Sequence, residues 1–167
     1  MNVILNAIVL IFETLYYSLF MKFARKDGKF WKYFLMFLLS NILCLFISFE
    51  NFYAYLFYFL GIILLSKLFK LNFKLYDLIV VILSMIIKLI IELLFFVIIK
   101  DKIDMFIWVA IIGIFKNEII YVFRNNLRNI YVKIYEKWQN NNFYIKYFLN
   151  IAIFIYVISS LLYIIYR

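Results

Sequence analysis

Apolar stretches of bilayer length, separated by short and mostly basic links, limit this chain to one way of folding. A helix needs about 20 apolar residues, rising about 1.5 Å each, to cross the hydrocarbon core of a membrane. Six segments meet or approach that length: residues 3–22, 33–49, 52–69, 77–99, 105–123 and 147–166. Backbone polar groups inside lipid must be satisfied within their own segment, so each is expected to be an α-helix. Composition agrees. Of 167 residues, 69% are hydrophobic, and the mean hydropathy is +1.01. A soluble domain is about 45–50% apolar. The expected fold class is therefore an all-α integral membrane protein, a single multi-pass domain over residues 1–167. The first span lacks a basic leader and a small-residue cleavage site and carries Glu13 in its middle, which argues against a signal peptide.

The basic residues sort by side. Lys22, Arg25, Lys26, Lys29 and Lys32 border the first link; Lys67, Lys70 and Lys74 border the third; Arg124, Arg128, Lys133, Lys137 and Lys146 border the fifth. On the other side stand only Lys100, Lys102 and Arg167. By the positive-inside rule both termini are expected outside a bacterial plasma membrane, with three basic loops in the cytoplasm. The net charge of +9 is thereby assigned to anionic lipid and not to nucleic acid. Residues 105–123 form the weakest span. A re-entrant path there would move the C-terminus inside.

The fifth link is more than a loop. Ile120, Phe123, Leu127, Ile130, Ile134 and Trp138 recur at helical spacing through residues 117–138, with Arg124, Asn125, Arg128, Lys133, Glu136 and Lys137 filling much of the remainder. The fifth helix is expected to continue as a basic amphipathic helix. Arg124, Arg128, Lys133 and Lys137 are its candidate contacts to anionic lipid, or to a partner membrane protein or second copy in a dimer. The run Gln139–Asn142 should turn the chain back.

The candidate site rests on charges at bilayer depth. Glu13 lies near the middle of the first span, Lys88 and Glu92 in the fourth, Lys116 and Glu118 in the fifth. A charge at the membrane centre costs about 2.5–3.5 kcal/mol even on a lenient scale, so these residues should face one another or a wet cavity. Lys88 and Glu92 share a helix face, and Glu13 with Lys88 or Lys116 is the natural pairing between helices. Such a network can hold helices in register, line a ligand or coupling site, or carry ions. Asn6, Asn41 and Asn150 can bond across helices. Cys44 reads as a small buried apolar residue. Trp31, Tyr33, Tyr53 and Tyr55 read as an interfacial aromatic belt. Without GxxxG, close backbone approach is not expected to be the main glue.

Absent residue types narrow the chemistry. There is no histidine or proline and only one cysteine. Histidine triads, histidine metal sites, CxxC redox chemistry and a disulfide within the chain are excluded. No phosphate loop, carboxylate pair or nucleophile with its base is visible. No enzyme, metal or cofactor is expected.

Three segments resemble the membrane sensor domain of the AgrC-like peptide-pheromone histidine kinases of Gram-positive bacteria: IFETLYYSLF at 11–20, KLIIELLFFVII at 88–99 and VFRNNLRNIYVKIYEKW at 122–138. The resemblance implies a non-catalytic sensor or partner-binding module for a peptide signal. It departs from such kinases in having no histidine to accept a phosphate, which implies a stand-alone or truncated sensor. Alternative readings are the membrane subunit of a small-molecule transporter or envelope complex, and a bacteriocin-immunity protein.

Overall fold

The computed structural model describes residues 3–45, 52–99 and 105–139, and the regular structure among them is entirely helical. The helices are α1 (Val3–Arg25), α2 (Phe30–Leu45), α3 (Phe52–Leu68), α4 (Leu75–Ile99), α5 (Met105–Val122) and α6 (Arg124–Gln139). Residues 147–166, the expected sixth span, lie outside the described residues, as do Lys146 and Asn150.

α1 is the central element. It packs against α2, α5 and α6 and touches α4, while α3 packs on α2. Its inward stripe runs Thr14, Tyr16, Tyr17, Phe20, Met21 and Ala24, all buried. These positions repeat at 3.6-residue helical spacing.

The interior is mainly apolar but also holds polar side chains, and the outer rows are apolar. Thr14, Ser18, Ser40, Ser84 and Lys116 are buried. Leu35, Leu39 and Leu43 on α2, Leu60, Leu64 and Leu68 on α3, and Ile107, Ile111 and Ile114 on α5 are exposed in helical rows. A water-soluble monomer seldom presents apolar patches of this extent.

Two helices, over Ile4–Arg25 and Tyr76–Phe95, are long and apolar enough to cross a membrane. The apolar helices over Phe30–Cys44 and Tyr58–Leu68 are shorter. α2 and α3 have 16 and 17 residues. At 1.5 Å per residue their described parts reach about 24–26 Å.

The expected amphipathic extension of the fifth helix is present and is set off from it by a one-residue turn. α5 stops at Val122, and a turn at Phe123 precedes α6. The break lets α6 lay Leu127 and Tyr131 into the bundle beside buried Ile120, with Ile134, Tyr135 and Trp138 packed against the same core. Phe123 and Ile130 stay exposed. Much of the apolar stripe is thus covered by the chain itself. Trp31 is exposed, as an interfacial residue should be, but Tyr33 is completely buried. The side chains of Tyr53 and Tyr55 lie outside the described residues.

Candidate functional site

Four of the five charges singled out in the sequence converge. Glu13 on α1, Lys88 and Glu92 on α4, and Lys116 on α5 form one cluster. Lys116 Nζ donates to Glu13 Oε1 at 2.6 Å and to Glu92 Oε1 at 2.7 Å. Lys88 Nζ stands 2.6 Å from Glu13 Oε2. Glu92 therefore pairs across the α4–α5 contact with Lys116, and Glu13 holds both lysines. Glu118 lies exposed on α5, with no ion pair among the described residues. Leaving it out makes the cluster two acids against two bases, hence neutral.

Local structure explains the convergence. Lys88 and Glu92 are four residues apart and share one face of α4. Lys116 reaches α1 because Gly113, one turn earlier, lets the helices approach. A Cβ at Gly113 would meet the Phe12 ring at 2.5 Å. That close approach is a feature sequence reasoning missed, since a lone glycine in an apolar helix carries no motif.

Burial grades across the cluster. The Lys116 side chain is 3% exposed and that of Glu92 33%, so one edge is closed and the other open. The Lys116 ammonium also sits 5.9 Å from the centre of the Tyr16 ring, within cation–π range. Tyr16 donates to Ser84 O of α4 at 2.9 Å. Asn41 of α2 donates to Thr14 of α1 at 3.2 Å, a bond between helices that the sequence left open. α1, α4 and α5 are thus tied at one level, with α2 fastened beside them.

A second polar cluster closes the basic end of the bundle. Asp77, fully buried, accepts the Lys74 backbone amide at 2.7 Å and the Tyr131 hydroxyl of α6 at 3.0 Å. The first of these bonds is half of a capping box: the third helical residue reaches back to the cap position. Arg25 lies between Asp27 and Asp77, 3.5 Å from each. Tyr33 donates to Asp27. Burial first, and then the Asp77 carboxylate, push the Tyr131 phenol above the ordinary tyrosine value.

Arg128 does a different task from the other α6 cations. Its guanidinium donates to Ala24 O and Arg25 O, both at 3.1 Å, at the C-terminus of α1. A cation there meets unsatisfied carbonyls and the negative end of the helix dipole. Arg124, Lys133 and Lys137 are exposed. The acid in KLYD, just after a loop, was the available sign of Asp77's capping role; its partners Arg25 and Tyr131 had no sign at all.

Each acid in the first cluster faces a lysine. Among the described residues no three His, Cys, Asp or Glu side chains gather as metal ligands would. Comparison with known protein families, with curated proteins and with solved structures gives no match.

Proposed function

We propose that this chain is a six-span bacterial plasma-membrane protein acting as a non-catalytic sensor or partner-binding module, with its basic end in the cytoplasm and both termini outside. The apolar outer rows of α2, α3 and α5 support the membrane setting. Among the described residues, every lysine and arginine other than Lys88 and Lys116 lies in α6 or in or within one helical turn of the α1–α2 or α3–α4 link. The Arg25–Asp77, Lys32–Phe69 and Arg128–Ala24 contacts bring these segments to one end of the bundle.

One observation carries the sensor reading. Lys116 is shared between carboxylates on two other helices. A ligand that draws α4 or α5 aside must break a buried charge pair or re-form it elsewhere, so the cluster has discrete arrangements of the kind that transmit a signal. α1 runs from this cluster to the Arg128 cap on α6. A peptide signal at the outer side would thus be read out as release of α6 at the inner side.

The test uses membranes containing the whole chain, exposed to peptide fractions from the host's culture medium. Trypsin cleavage after Lys133 and Lys137 should change in the wild type and stay constant in Glu92→Gln. Cleavage indifferent to every fraction would sink the sensor reading. A reporter fused after Arg167 should be active only outside the cytoplasm; a cytoplasmic reading would reject six spans.

A further inference from the structure

The turn between α3 and α4 borders an open surface depression of about 380 Å³ lined by Ser66, Lys67, Lys70, Asn72 and Phe73. That volume falls within the range of small-ligand sites. Its two lysines are exposed, and neither has an ion pair among the described residues. α3 closes with Lys70 N–H bonded to Lys67 O at 3.1 Å and Leu71 N–H to Ser66 O at 2.9 Å. This is a Schellman ending, in which the left-handed position usually belongs to glycine. Lys70 occupies it at φ 53°. The carbonyls at this helix end would repel an anion, but Lys32 Nζ donates to Phe69 O at 3.2 Å and offsets them.

The apolar surface above the depression completes the pattern. Leu60, Leu64 and Lys67 follow at spacings of four and three and share one face of α3. Leu60 is 45% exposed and Leu64 66%, with Leu68 beside them at 70%. A row of bare leucines therefore runs straight up from a cationic notch. Free phosphate would use the notch alone. A lipid uses both parts.

We propose that this notch and the leucine row bind one phospholipid with a net negative headgroup, its phosphate between Lys67 and Lys70 and an acyl chain along Leu64 and Leu60. The site rests on the membrane reading given above and is separate from the basic face of α6. It is specific for charge because the lysines meet the headgroup, and for a lipid because the chain covers the leucines.

The full chain, purified in mild detergent, is titrated with phosphatidylglycerol, phosphatidylcholine or inorganic phosphate and examined by native mass spectrometry. Phosphatidylglycerol should remain bound at concentrations at least tenfold below those needed for phosphatidylcholine. Lys67→Gln with Lys70→Gln should abolish that preference. Lys67→Arg with Lys70→Arg should retain it, as should Lys133→Gln with Lys137→Gln. Equal retention of both lipids, equal loss in the α6 variant, or displacement of the lipid by millimolar phosphate would overturn the site. Carbonate washing of host membranes separates the two readings. Release of the chain would overturn both, whereas retention with indifferent headgroups would overturn the lipid site alone.

Discussion

Lys116 and Glu13 stand 103 residues apart in the chain, yet their side chains meet at 2.6 Å. The contact joins α5 to α1, and the same ammonium reaches Glu92 on α4. Three helices therefore depend on one buried lysine for their relative position.

Removing its central counter-charge should be costly. Glu13→Leu leaves Lys88 and Lys116 with one carboxylate between them, on Glu92. Breaking a buried pair from one side costs about 3–5 kcal/mol, so denaturant unfolding in detergent should shift by roughly that amount. Lys116→Met should cost less, because Glu13 keeps Lys88 and Glu92 is partly exposed. The double variant Glu13→Leu/Lys88→Leu should recover part of the loss. If Glu13→Leu and Lys88→Leu are both neutral, the cluster holds nothing together.

Helix approach should depend on Gly113. The Cβ of Gly113→Ala would strike the Phe12 ring at its root, where the side chain has little room to swing. Overpacking of this kind costs about 1–3 kcal/mol. Thermal unfolding should show the loss, and Phe12→Leu in the same chain should relieve it. Gly61→Ala is the control: its Cβ would lie 3.5 Å from Ser40 Oγ, an ordinary contact. A Gly113→Ala chain as stable as Gly61→Ala would mean that α1 and α5 do not touch there.

Docking of α6 should depend on Arg128. Arg128→Gln loses the charged cap on the last carbonyls of α1, an interaction worth up to about 2 kcal/mol when partly buried. Trypsin should then cut after Lys133 and Lys137 several times faster. Lys133→Gln, which alters an exposed residue, should leave cleavage after Lys137 unchanged. Equal rates in the wild type and Arg128→Gln would detach the cap from the docking of α6.

Docking should also weaken in alkali. The folded chain holds the Tyr131 proton more tightly than the unfolded chain, because burial and Asp77 oppose phenolate. The contribution is fully present below the ordinary tyrosine pKa of about 10 and is lost as pH rises beyond it. Ultraviolet titration should show a late-ionising group of tyrosines that is smaller by one in Tyr131→Phe. Loss of the missing phenol from the tyrosines that ionise near 10, and not from the late group, would place Tyr131 in water.

The sequence alone determined what local chemistry can determine. Apolar runs of near-bilayer length must satisfy their backbone within the segment once in lipid, so the positions of α1 to α5 were legible to within a few residues. The i, i+4 spacing of Lys88 and Glu92 put them on one face, and the cost of burying charge required that Glu13, Lys88, Glu92 and Lys116 find partners. Which partner each found was decided only by tertiary structure. Glu92 turned from its neighbour Lys88 to Lys116, and Glu118, two residues from Lys116, was left on the outer face. Pairing between helices depends on rotation and distance, which Gly113 and Phe12 set and no periodicity records. The same holds for α6. Its stripe announced an apolar face, but whether lipid, a second copy or the chain itself would cover that face depended on the end of α1 lying within reach of Arg128 and on Asp77 lying within reach of Tyr131.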